Sequence, residues 1–243
     1  MKPTFQPIRS ARISEEVIAQ IKSAILSGQY QPGDKLPSER ELIEQFGVGR
    51  GVIREALRAL EATGFVTMRQ GPNGGAFLKE LNFNHLTGGF VDLYLAGKLT
   101  IPELSQVRKL VEPEVASLAA ARIDDAWRSQ LREAMAAERG QLGEGDDRML
   151  VMTRVHFILA EMCGNYLLHA IVNAMIKLTH EIVATVEPQE HYALHGAGEH
   201  DEVAEAVIAG QPRRAAAAMR AHLDQFCAKL VNMDRRYRGQ ATD

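Results

Sequence analysis

A chain of 243 residues with 46% hydrophobic and 24% charged residues and a formal net charge of −3 has the composition of an ordinary globular protein of one or two domains. Two cysteines far apart, Cys163 and Cys227, exclude a disulfide framework and a zinc-knuckle spacing, and fit a reducing, cytoplasmic setting. A generic polycation is excluded too: residues 1–80 carry 11 Lys+Arg against 9 Asp+Glu and the remainder 17 against 22, so a nucleic-acid reading must rest on placed residues. No run of about 18 apolar residues occurs, so no membrane span is expected, and Met1 to Arg12 lack the apolar core of a signal peptide.

The first predicted helix runs from about Ser14 to Ser27, with Ile13, Val17, Ile21 and Ile25 on one face and Gly28 as its stop. Tyr30 to Asp34 read as a turn. A second helix opens after Pro37, where Ser38 and Glu41 form a capping box, and buries Leu42, Ile43 and Phe46. Gly47-Val48-Gly49 connects it to a third helix, about Arg50 to Thr63, whose inner face is Val52, Ile53, Ala56, Leu57 and Leu60. Two short helices on a three-residue glycine turn are a helix-turn-helix. Phe65 to Arg69 and Ala76 to Leu78 have strand composition around Gly71-Pro72-Asn73-Gly74-Gly75, with Asn-Gly as the expected turn of a two-stranded wing.

After a short linker, around Lys79 to Asn84, helical periodicity holds to the C-terminus, with six or seven helices expected within residues 83–236. Thr100 and Glu103 form a second capping box with Pro102 in the first turn, and Asp124 or Asp125 caps the helix of Trp127, Leu131 and Met135. Gly143 to Gly145, Gly164-Asn165 and Gly210-Gln211-Pro212 are the breaks that follow.

The second helix of a helix-turn-helix enters the major groove with its N-terminal residues at the base edges. Arg50 and Arg54 lie one turn apart there, opposite the apolar face, and a guanidinium offers two donors to guanine O6 and N7. Gly49 and Gly51 flank Arg50 and permit close backbone approach, while Arg40 lies on the preceding helix, whose start at Ser38 offers free N–H groups to phosphate. The competing reading makes Arg50, Arg54 and Arg58 a solvated stripe paired with Glu55 and Glu61. The stretch Gly28 to Leu42, then Gly47 to Leu57, Leu60 through Phe65 and the Gly71 to Phe77 wing resembles, without gaps, the winged helix of the GntR family. That resemblance implies that Arg40, Arg50 and Arg54 touch operator DNA and that Gly71 at the wing tip enters the minor groove. Gly49 departs from the family, which often has Ser or Thr there, and lacks one hydroxyl contact to phosphate.

Three histidines stand in line with apolar residues of three different helices: His156 with Met152 and Leu159, His200 with Val203, Ala204 and Val207, His222 with Met219, Leu223 and Phe226. A bundle has one centre, so they are expected to converge there, as metal ligands or as hydrogen-bonding groups for an effector. Arg108, in line with Leu104, Val111 and Val115, points inward and must be paired, either with Glu112 one turn on or with an effector carboxylate. His180, His191 and His195 are read as surface or loop residues. Val107 to Glu114, Ala119 to Ala121, His156, Gly164-Asn165, Glu199 to Asp201 and Met219 to Leu223 resemble the FadR-type effector domain of the same family, called FCD. The resemblance implies His156, His200 and His222 as ligands of one divalent ion (Zn²⁺, Mn²⁺ or Ni²⁺) and favours Arg108 as the effector's partner. It also implies an Asp ligand four residues before the first histidine, where this chain has Met152.

The expectation is a mainly α protein: a winged helix-turn-helix with a two-stranded wing over residues 1–79 and an all-α antiparallel bundle over 80–243. Its expected role is that of a homodimeric, cytoplasmic transcription regulator, more a repressor than an activator, released from a palindromic operator by a small carboxylate. A long-chain acyl thioester sensor of the same fold and a three-histidine metalloenzyme are the alternatives.

Overall fold

The computed structural model describes residues 11–81, 87–140, 145–186 and 196–240. The chain divides into two units, Met1–His85 and Leu86–Asp243. The linker's end at Asn84, Gly143 and Glu144 of the expected break, and His191 and His195 lie outside the described residues.

The first unit contains α1 (Ala11–Leu26), α2 (Glu39–Phe46), α3 (Arg50–Ala62), β1 (Val66–Arg69) and β2 (Gly75–Leu78). Val17, Ile21 and Ile25 of α1 join Leu36, Leu42, Ile53, Leu57, Leu60, Val66 and Leu78 in one core. Ile13 does not continue that face: it is 43% exposed, and the buried position one residue on belongs to Ser14, whose hydroxyl donates to Glu55 Oε1 at 3.2 Å. A 3.6-residue period drifts off a strict every-fourth-residue pattern, so the fourth apolar residue leaves the stripe. The expected Ser38–Glu41 box forms: Ser38 N donates to Glu41 Oε2 at 2.7 Å and Glu41 N to Ser38 Oγ at 3.3 Å. β1 and β2 pair antiparallel from Val66↔Leu78 to Arg69↔Gly75. Their five-residue loop turns on Pro72 and Asn73, because Gly74 N donates to the Gly71 carbonyl at 2.9 Å. Asn-Gly is therefore not the central pair of the turn; a Cβ at Gly74 would overlap the Arg69 carbonyl oxygen, which is why glycine stands there.

The second unit has seven helices among the described residues: α4 (Thr87–Leu95), α5 (Ile101–Ala120), α6 (Asp125–Arg139), α7 (Gly145–Met162), α8 (Tyr166–Val186), α9 (Asp201–Ile208) and α10 (Pro212–Gln240). The Thr100–Glu103 box opens α5, and Asp124, not Asp125, caps α6 through a 2.8 Å bond from Trp127 N. α5 and α10 pack antiparallel as the central pair: Lys109 meets Asp224 at 2.6 Å, while Pro102 lines the same groove as Arg235. α9 packs on α5, α6 and α10, and α7 on α5, α6 and α8. α8 is long and apolar enough to cross a membrane by length and composition, although Asn173 and Lys177 interrupt its apolar run. Its apolar face (Val172, Ile176, Ile182 and Val183) is instead buried in this core.

One buried polar link ties the first helix of this unit to the last. Tyr94 of α4 donates to Asp234 Oδ1 of α10 at 2.6 Å, and Arg238 Nε closes on the same carboxylate at 2.9 Å. Burial, then Asp234, pushes the Tyr94 phenol well above its ordinary value, so it remains a donor. Tyr94→Phe is expected to cost about 1.5–3 kcal/mol, because the lost bond ends on a charged acceptor. The check is the urea midpoint at constant slope; an unmoved midpoint refutes it.

Candidate functional site

Two groups of side chains carry chemistry, one in each unit. On the first, α3 locks Ile53, Ala56, Leu57 and Leu60 into the core, which turns Arg50 and Arg54 outward, 74% and 53% exposed. The ion pairs of the competing reading, to Glu55 and Glu61, are not the ones formed. Glu39 of α2 faces both, at 3.5 Å from Arg50 Nε and 3.9 Å from Arg54 Nε. Glu55 instead accepts from Ser14, and Glu61 from the backbone N–H of Met68. Arg40 projects from α2 beside Glu44. Gly49 is the N-cap of α3 with no side-chain cap, and a Cβ there or at Gly51 would meet nothing within 4 Å. The chain's own packing therefore does not demand either glycine. Gly71 does need its type, since φ is +104° at the tip of the wing.

In the second unit the three predicted histidines do converge. His156 comes from α7 and His222 from α10, whereas His200 is the N-cap residue of α9 rather than part of it. Their candidate ligand atoms lie within 4.8 Å of one another, and each ring is at most 6% exposed. His200 Nδ1 contacts Glu138 Oε2 at 2.8 Å and His156 Nδ1 lies 2.6 Å from Glu112 Oε2. Both contacts are within hydrogen-bonding distance, and Glu112 acts on the His156 ring through its charge and through that hydrogen bond. An ionised carboxylate only accepts, so each Nδ1 carries its hydrogen and each Nε2 turns a lone pair to the centre. Those two Nε2 atoms are 2.9 Å apart.

Two lone pairs at that distance call for a proton or a cation between them. Burial first, and the neighbouring histidines and Arg108 after it, lower His222; burial lowers His156 against the pull of Glu112. Protonation of His156 and His222 is thus disfavoured, and the donor set fits a metal ion: nitrogens 2.9 Å apart subtend about 90° at an ion about 2.1 Å from each. Buried carboxylates behind two of the rings are the usual outer support of such a set.

Arg108 lies beside this centre, paired with Glu112 through Nε at 2.5 Å and Nη2 at 3.5 Å, with its guanidinium 4.9 Å from the Phe226 ring centre. The expected alternative of a Glu112 partner is thus realised, and the same carboxylate serves His156. Met152 is buried one turn before His156 and brings no carboxylate. Glu138 was missed by sequence reasoning, although its place after Leu131 and Met135 on the apolar stripe of α6 is a signal. His180 is half-buried on α8, neither exposed nor in a loop as expected.

Residues 13–76 match the family profile of bacterial regulatory proteins, gntR family, and residues 103–225 match the FCD domain. The chain is 35% identical over 209 residues to the HTH-type transcriptional regulator LutR of Bacillus subtilis (strain 168), spanning 82% of this chain and 92% of LutR. It is 28% identical over 234 residues to the HTH-type transcriptional repressor NanR of Citrobacter rodentium (strain ICC168), spanning 92% and 87%. The solved Streptococcus agalactiae GntR matches with a TM-score of 0.67 at 27% identity, covering 89% of this chain and 99% of that one.

Proposed function

The chain belongs to the GntR family of bacterial regulatory proteins, a DNA-binding transcriptional regulator with an FCD domain and not an enzyme, and from that premise we propose that it is a homodimeric repressor whose operator binding is released by a small carboxylate. The observation that carries the DNA half is the exposed pair Arg50 and Arg54 on the outer face of α3. Residues 1–79 form the reading head in this proposal. Arg50 and Arg54 reach guanine edges of a half-site, Arg40 and the α2 start at Ser38 hold phosphate, and Gly49 and Gly51 let the backbone come close. Gly71 carries the wing tip to the minor groove. Two copies read a palindrome, in the cytoplasm where the DNA lies.

Residues 80–243 hold the effector and the dimer contacts in the same proposal. His156, His200 and His222 would hold one divalent ion, Zn²⁺ or a relative such as Mn²⁺ or Ni²⁺. Bound there, the ion supplies a Lewis acid for a ligand oxygen. Arg108 uses Nε and Nη2 on Glu112, which leaves Nη1 for the ligand's carboxylate. So many buried polar side chains favour a small anion over a long acyl chain. The ligand would touch α5, α7, α9 and α10 together, and α10 grips α4 through Asp234 and Tyr94. Release of DNA then requires that the ligand bind the two states of this packing with different affinity.

The test is base readout on an operator selected from random sequences. Arg50→Ala or Arg54→Ala is expected to cost about 1–3 kcal/mol there and to relax preference at one guanine, with a smaller loss on random DNA. Equal losses on both DNAs would reduce these arginines to phosphate contacts.

A further inference from the structure

On the outer side of the α5–α10 pair lies a cavity of about 620 Å³ that the metal-site and DNA readings leave unused. Its walls are set by the helical period. α5 turns Arg108 and Glu112 inward to the histidines, so Lys109 and Leu110 line the groove, and Ser105, at the edge of the same buried stripe, borders it. α10 turns His222 and Phe226 inward and gives the groove Asp224, Val231 and Arg235.

Three observations point to an occupant. Ser105 is 6% exposed, yet its hydroxyl has no hydrogen-bond partner, an arrangement that a ligand acceptor would relieve. Lys109 is matched by Asp224 at 2.6 Å, whereas Arg235 forms no ion pair among the described residues. The groove therefore has one spare positive charge. Its wall on α10 has an apolar stretch, Cys227, Ala228 and Val231, beside the polar Gln106 and Asn232, and Leu110 is 71% exposed at the rim. One unmatched guanidinium, one buried hydroxyl and an apolar stretch suit an anion with a short hydrocarbon body.

We propose that this groove is a second small-molecule site, distinct from the histidine centre, that takes a medium-chain carboxylate with its head on Arg235 and its body along Val231 and Leu110. It shares α5 and α10 with the histidine centre, so its occupant bears on the same helix pair from the other side.

Hexanoate is the probe, added to full-length protein stripped of metal with EDTA, against sodium chloride at equal ionic strength. A saturable rise in melting temperature is expected in the parent. Arg235→Ala is expected to weaken hexanoate about tenfold, the share of one charge-assisted hydrogen bond. Ser105→Ala is expected to weaken it severalfold, and Leu110→Ser to do so for hexanoate more than for acetate. The proposal is overturned if hexanoate gives no more than the chloride effect, or if its binding survives Arg235→Ala and Ser105→Ala unchanged. It is equally overturned if Arg235→Ala alters the oligomeric state at fixed protein concentration, because the groove is then an interface between copies.

Discussion

Replacing Glu112 with alanine is expected to destabilise the second unit by about 3–5 kcal/mol, the range for breaking one side of a buried ion pair. Burial alone would raise the Glu112 carboxyl, but Arg108 and then His156 outweigh it and hold the group well below the ordinary carboxylate range. It is therefore the anion that compensates a guanidinium only 3% exposed. Without it, Arg108 keeps the face of Phe226 and little else. Glu112→Gln retains volume and an acceptor and should lose less. Glu114→Ala, two residues on and exposed, should stay within about 0.5 kcal/mol. The loss is expected in the transition of the helical unit, with that of the winged helix as internal control. A Glu112→Ala loss no larger than that of Glu114→Ala would refute the account. The pH dependence has a definite sign. A carboxyl lowered in the folded state adds stability that is full above its unfolded value near 4.3 and is lost as pH falls below it. The gap between parent and Glu112→Gln should therefore close in acid.

The second large effect concerns the histidine centre. The protein is expected to retain one divalent ion through dialysis, and a chelator to lower the melting temperature of its helical unit. An ion bound only by the folded state, at a thousand times its dissociation constant, adds about 4 kcal/mol. His222→Ala and His200→Ala should each remove the ion and make the chelator inert. Met152→Asp, one turn before His156, should place a hard oxygen beside the set and tighten binding of Mn²⁺ or Zn²⁺. Burial lowers His156 and His222, so proton competition at those two rings should begin below the ordinary histidine value near 6.5 rather than at it. For the metal-free protein the sign is the same: the unfolded chain takes up protons first, so these rings withdraw stability as pH drops below about 6.5. Elemental analysis without metal, together with no chelator effect on the parent, would sink the metal reading. The histidines would then be left to hydrogen-bond an anion beside Arg108.

Much of this protein is written in interactions of short range along the chain. The Ser38–Glu41 and Thr100–Glu103 boxes close over three residues, so any window holding both partners reveals them. Likewise, the outward placement of Arg50 and Arg54 follows from Ile53, Ala56 and Leu57 on one helix, because 3.6 residues per turn fixes which side chains oppose which. Periodicity also put His156, His200 and His222 inside, and a bundle with one centre made their meeting a fair expectation. What periodicity does not carry is the partner on another element. Glu39 comes to Arg50 and Arg54 from α2, and Glu138 comes to His200 across 62 positions of sequence. Glu112 serves Arg108 within its own helix, which spacing suggests, but its second contact, His156, is on α7. Those pairings depend on which helix faces meet and at what height, and the packing of whole apolar faces sets both. The facing of two imidazole nitrogens at 2.9 Å, on which the metal reading rests, is a product of that packing and of the two carboxylates it buries behind the rings.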